Sequence, residues 1–175
     1  MSMNVKVLGD ETILDAMRDA LLQEPALQNC TTQVKRDGMW EIAREATGTP
    51  QGVIQVSVTE GVVLLDAHVT SLIQKRLAGV LAWWIPGIRD VINGMDVVPL
   101  QEDSDQEIEK AVRLVLEKDP FVNVERIRVS VKNAVVTLEG AVPAASQSEI
   151  AELDSWYIFG VDEVDNRLGV CLRER

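Results

Sequence analysis

The sequence predicts an α/β (α+β) chain made of two repeated modules, each a small three-stranded mixed sheet with two helices packed on one face. Three observations carry this. Setting Val56 against Val129 and holding that offset as far as Val98 aligns the chain with itself without a gap. Identical residues then recur at Val56/Val129, Val63/Val136, Leu65/Leu138, Ala78/Ala151, Trp83/Trp156, Gly87/Gly160 and Asn93/Asn166, among other pairs. Self-similarity of this length marks a duplicated supersecondary unit. Within each copy, two alternating strands flank a two-residue turn, and a helix-spaced stretch and a last strand follow. Finally, 175 residues with 46% hydrophobic and 26% charged side chains are enough for two small cores.

The first module spans 1–98 and carries an insertion at 31–52, an acidic linker covers 99–104, and the second module spans 105–175. The opening helix is expected over Asp10–Glu24, with Ile13, Met17, Ala20 and Leu21 at helical spacing and Asp10 and Thr12 available as caps. Pro25 ends it, because the residue before a proline avoids the helical region. Its counterpart is Ser104–Asp119, where Ser104 and Glu107 form a capping-box pattern and Pro120 closes the run.

The insertion separates the copies. Its front half reads as a hairpin around Asp37-Gly38, a dipeptide suited to a type I′ turn. Its back half, Met39–Ala46, fits a short helix equally well. The repeated hairpins are Ile54–Thr59 with Val62–Asp66, turning at Glu60-Gly61, and Ile127–Lys132 with Val135–Glu139, turning at Asn133-Ala134. Val56, Val58, Val63 and Leu65 share one face, as do Val129, Val131, Val136 and Leu138, and a lone two-stranded hairpin needs a cover. The second helices supply it. In Ser71–Trp84 the stripe is Ile73, Leu77, Val80 and Trp84; in Ser146–Tyr157 it is Ile150, Leu153 and Tyr157, with Ser146 and Glu149 as a capping box. The last strands are Val91–Val98 and Val164–Leu172.

Charge narrows the function. The chain holds 17 Lys and Arg against 28 Asp and Glu, a net charge of −11. Residues 1–98 hold 8 basic against 12 acidic, and 99–175 hold 9 against 16. Such a surface repels phosphate backbones, so no nucleic-acid partner is expected. The first ten residues lack an apolar run of signal-peptide length. That predicts a cytoplasmic protein if Met1 is the native start, and a periplasmic one if a signal sequence has been removed. No stretch is long enough to span a membrane. Cys30 and Cys171 lack metal-site spacing and read as buried thiols.

Catalysis finds no support. GxGxxG, Walker and GxSxG patterns are absent. His68 is the only histidine, aligns with Ala141 and reads as an ordinary strand-end residue. Asp66 and Glu139 align across the copies as solvated strand-end carboxylates. Neither a cofactor nor a metal site is expected. Gly87 and Gly160 fit left-handed helix caps, and Asn93 and Asn166 fit backbone-satisfying roles.

The helix–hairpin–helix–strand order resembles the BON domain (bacterial OsmY and nodulation). The residues that carry the resemblance are Val129, Val131, Val135, Val136, Leu138, Gly140 and Val142, then Gly160, Val161, Val164, Asn166, Leu168 and Val170. The first copy follows with Gly61 at the turn, Ala67 in place of the glycine, and Gly87, Ile88, Val91, Asn93, Met95 and Val97. The resemblance implies a non-enzymatic binding module, associated with the bacterial envelope and with phospholipid. Some members are instead cytoplasmic and linked to osmotic or other stress, which leaves open a protein-interaction or homo-oligomerisation role.

One stretch suits a binding edge. Trp83, Trp84, Ile85 and Pro86 are echoed by Trp156, Tyr157, Ile158 and Phe159, in a chain with only four tryptophans. Trp84 and Tyr157 continue the core stripes. Trp83 and Trp156 sit on mixed flanks, and three readings of them stay open: a local core, packing between the copies, or a face for a membrane or protein partner. Lys75, Arg76 and Arg89 make the first copy's patch mildly basic, so a lipid surface would be met there rather than at the acidic second copy.

Overall fold

A computed structural model of the chain describes residues 8–171. Contacts divide it into two units, Met1–Gln101 and Glu102–Arg175. The second is the simpler form. Helix α3 (Asp105–Lys118) is followed by strands β7 (Ile127–Lys132) and β8 (Val135–Val142), helix α4 (Ala145–Trp156) and strand β9 (Glu163–Val170). Strand β7 pairs antiparallel with β8, and β8 pairs parallel with β9. The turn Asn133-Ala134 has φ of 52° and 60°, as a type I′ turn requires. Ile108, Val112, Val115 and Leu116 of α3 are buried together with Val129, Val136 and Leu138 of the hairpin.

The first unit repeats this plan: α1 (Asp10–Gln23), β3 (Gly52–Thr59), β4 (Val62–Val69), α2 (Leu72–Trp83) and a last strand split into β5 (Asp90–Asn93) and β6 (Asp96–Val97). Its sheet is larger than expected. The insertion forms β1 (Cys30–Arg36) and β2 (Met39–Arg44), and the strand order is β2-β1-β3-β4-β5, with β6 also on β4. The Asp37-Gly38 hairpin is as the dipeptide predicts, with φ of 50° and 79°. The helical alternative for Met39–Ala46 does not form; β2 pairs antiparallel with β1 instead. Strand β1 then adds parallel to β3, Val34 opposite Val56. Cys30 and Val34 thereby join the core of Ile13, Met17, Leu21, Ile54, Val56, Val63 and Leu65. The insertion thus covers the edge of β3, the position that β7 leaves as an edge in the second module.

The helix starts agree with the sequence reading at Ser71 and Ser104 and differ elsewhere. Ser71 and Ser104 cap α2 and α3, accepting from the backbone of Gln74 and Glu107. By contrast, Ser146 lies inside α4, whose cap position is Ala144 and has no side-chain bond, so the Ser146–Glu149 capping box does not form. Asp10 and Asp105 act as clamps on the hairpin turns. Asp10 accepts from the amides of Glu60 and Gly61, both at 2.8 Å.

The stripes on the second helices also need correction. On α2 the residues joined to the sheet core are Ala78 and Ala82, with Leu81 and Ile85 packed against them. Leu77 and Val80 are buried outside that cluster, and Trp84 is half-buried. On α4 the aligned residues Ala151, Ser155 and Ile158 are buried, whereas Leu153 is exposed and Ile150 and Tyr157 are half-buried. Small side chains let a helix lie close to a sheet, and a pattern built on large apolar residues picks the neighbouring face. Ser155 stays satisfied by donating to the Ala151 carbonyl at 2.8 Å.

Candidate functional site

The sequence-selected aromatic edge is carried by the helix ends, and each module presents its own version. Trp83 closes α2, Trp84 is its C-cap, and both are half-buried, as is Ile85; Pro86 is exposed. Tyr157 is the C-cap of α4 and half-buried, whereas Trp156 and Phe159 are exposed. The basic residues of the first module do not all stand open on the surface. Arg76 is only 1% exposed, and Lys75 is half-buried. Arg89 sits across the β3–β4 turn, its guanidinium donating to the Glu60 carbonyl at 3.1 Å and its stem lying over Gly61.

Other singled-out residues have structural settings. Asn93 donates to the Lys75 carbonyl and accepts from the Met95 amide, and Asn166 makes the same bridge to Ser148 and Leu168. These bonds tie the last strand to the second helix in each copy. His68 lies on the open side of β4 with Asp96 at 3.9 Å, both exposed, which makes a screened surface pair. Cys30 is buried, and burial pushes its thiol pKa up; Cys171, expected to be buried, is exposed just past the end of β9. No group of three or more metal-ligating side chains occurs among the described residues.

A different place stands out. A concavity of about 600 Å³ in the second module is lined by Arg113, Glu125, Arg126, Ile127, Arg128, Glu139 and Gly140. Arg126 ends a short 3-10 turn (Val124–Arg126) and Arg128 follows on β7, so both guanidinium groups leave the same sheet edge. Among the described residues neither has a carboxylate within ion-pairing distance, although Glu139 lies opposite Arg128 in the strand register. Arg113 comes from α3, is held by Glu109 at 3.3 Å and donates to the Val129 carbonyl at 3.0 Å. Gly140 lets the arginine-bearing turn lie close. Its φ is 134°, and a Cβ there would stand 2.1 Å from the Arg126 carbonyl oxygen.

The first module has a smaller concavity at the corresponding place, about 390 Å³, lined by Gln33, Val53, Gln55, Asp66, Ala67 and His68. The repeat offset sets Val53 against Arg126 and Gln55 against Arg128. In that copy the insertion supplies Gln33, which accepts from Gln55 at 2.8 Å, and the lining holds no arginine. The corresponding position therefore holds three arginines in one copy and none in the other. The repeat read from Val56 onward stops short of it; extending the same offset three residues back finds it.

A family model of the BON domain matches residues 41–99 and 104–171. The chain belongs to the BON domain family. The matched part begins inside β2, so α1 and β1 lie outside it. Similar solved structures include two of CdsD, a structural protein of the type III secretion system of Chlamydia trachomatis. The C-terminal domain structure is 15% identical with a TM-score of 0.34, over 94% of this chain and 68% of that one. The second is 16% identical with a TM-score of 0.35, over 95% of this chain and 66% of that one. No curated protein matches the chain. For a BON protein the sites to weigh are therefore binding surfaces, and the arginine concavity is the most chemically specific of them.

Proposed function

We propose that this BON protein is a non-catalytic, envelope-associated binding module that takes the anionic head group of phospholipid at Arg126 and Arg128. The carrying observation is a pair of arginines that have no ion-pair partner among the described residues, at an open concavity in a chain of net charge −11. A guanidinium forms two parallel hydrogen bonds to one phosphate, and two of them on one sheet edge fit a phosphodiester better than a point charge does. The concavity is open to solvent, as a head group that stays in its bilayer requires.

Magnitudes limit the affinity. A basic residue near an anionic leaflet gains about 1 kcal/mol, and acidic ones lose comparably. Glu125 and Glu139 in the same lining offset part of what Arg126, Arg128 and Arg113 contribute. Binding is therefore weak, confined to anionic vesicles and lost as salt shortens the screening length to about 8 Å. The test is co-sedimentation of the full chain with phosphatidylglycerol and with phosphatidylcholine vesicles, at low and at physiological salt. Retention on anionic vesicles at low salt that Arg126→Glu with Arg128→Glu abolishes supports the reading. Retention unaffected by that double substitution, or none on either vesicle, contradicts it.

A further inference from the structure

The two sheets end in four edges, and three are guarded. An exposed edge offers unpaired main-chain groups, which proteins blunt with charge, shortness or a covering side chain. Strand β7 carries Arg128 and Lys132, and Arg113 occupies the Val129 carbonyl. Strand β9 carries Glu163, Asp165 and Arg167. Strands β5 and β6 are four and two residues long.

Among the described residues strand β2 is the least guarded: its two charges are turned back into the first unit, Glu41 toward Arg36 at 3.5 Å and Arg44 onto the Leu22 and Leu27 carbonyls. It is the terminal strand, six residues long, and Met39, Trp40 and Ile42 are 68%, 43% and 56% exposed. The register shows which main-chain groups are on offer. Arg36 and Met39 flank the two-residue turn as a hydrogen-bonded pair, so the alternation of an antiparallel ladder turns Glu41 inward and Trp40 and Ile42 outward. The same rule applied to β7 turns Val129 outward, where Arg113 meets its carbonyl.

We infer that β2 pairs antiparallel with β2 of a second copy about a two-fold axis at Glu41, so that the two six-residue edges form one continuous sheet. This inference is independent of the lipid reading. The edge is self-complementary: Trp40 and Ile42 stand two positions apart, so a two-fold axis at the residue between them pairs their outward amides and carbonyls with each other. Trp40 of each copy then lies directly opposite Ile42 of the other on the helix-free face, an aromatic against a β-branched residue. Lys35, opposite Trp40 in the hairpin and 5.6 Å from its ring centroid, flanks that contact.

Charge is nearly balanced at this place. The hairpin Cys30–Arg44 holds Lys35, Arg36 and Arg44 against Asp37 and Glu41, a basic excess in an acidic chain. At the axis the two Glu41 carboxylates oppose each other, and each has Arg36 of its own copy at 3.5 Å. That residual repulsion, together with a contact smaller than the roughly 1,200 Å² of stable interfaces, makes the dimer weak and concentration-dependent.

The experiment is sedimentation velocity on the full chain from low to high micromolar concentration, with Ile42→Lys and Glu41→Gln, and circular dichroism to show that each variant is folded. The wild type should pass from monomer to dimer. Ile42→Lys should weaken association at least tenfold, and Glu41→Gln should tighten it by removing the like-charge pair. In a Cys171→Ser background, Glu41→Cys should oxidise to a covalent dimer, and Asp37→Cys at the turn should do so far less. A wild type that stays monomeric throughout overturns the pairing, including the case where β2 instead accepts a strand from another protein. So does a dimer unaffected by Ile42→Lys, or one that Glu41→Cys fails to link.

Discussion

Asp105 accepts a hydrogen bond from the backbone amide of Ala134 at 2.9 Å, fastening the first residue of α3 to the β7–β8 turn; the Asn133 amide adds a second bond at 2.8 Å. Asp10 makes the same pair of bonds to Glu60 and Gly61 in the first module. A carboxylate accepting two amides keeps its charge, and the Ala134 and then the Asn133 bond hold the Asp105 pKa below the usual carboxylate value. The sign follows from the direction. The folded pKa is the lower one, so this stabilisation is fully present above the unfolded value of about 3.9 and is lost as pH falls through the folded value. Urea unfolding between neutral and strongly acidic pH checks it: the wild type loses stability on acidification, and Asp105→Asn loses less because it starts lower.

The buried face of α4 separates two residues of similar hydrophobicity. Ile158 is buried and should cost about 2–5 kcal/mol on truncation to alanine. Leu153 is exposed, and Leu153→Ser should stay within about 0.5 kcal/mol. Chemical denaturation of both variants tests the corrected helix face, and the opposite ranking would restore the stripe through Leu153.

Ala151 is buried on the same face, and larger side chains there should force α4 from its place. Ala151→Leu is expected to destabilise by about 1–3 kcal/mol through overpacking. Thermal unfolding reads this directly.

Gly140→Ala meets both an unfavourable φ and the Arg126 carbonyl. It should cost on the order of 1–3 kcal/mol and displace the turn that carries Arg126. Amide chemical shifts of Val124–Arg128 should move, and a variant with unchanged shifts and stability would contradict the close approach.

The two thiols should differ in access. Cys171 is exposed and Cys30 is buried with a raised pKa. A chromogenic disulfide reagent should modify Cys171 promptly in the native protein and Cys30 only with unfolding.

Much of the fold was legible because it is local. The turns at Asp37-Gly38, Glu60-Gly61 and Asn133-Ala134 announce themselves as dipeptides between alternating runs, and all three have positive φ at both positions. Parallel pairing has no such signal, so nothing in Cys30–Arg36 revealed that β1 would add beside β3. The helix faces misled because Ala78, Ala82, Ala151 and Ser155 carry little hydropathy but are buried. The aromatic segments were conspicuous for their residue type, yet Trp83, Trp84 and Tyr157 are half-buried at helix ends. Arg126 and Arg128 lie just before Val129, outside the stretch in which the repeat shows its identities.

The most direct measurement is an amide and arginine side-chain chemical-shift titration of the full chain with glycerophosphoglycerol, the water-soluble head-group portion of phosphatidylglycerol. The account predicts saturable shifts centred on Arg126, Arg128 and Gly140, absent in Arg126→Glu with Arg128→Glu. Shifts confined to other residues, or unaltered by that double substitution, would contradict a head-group site on this edge.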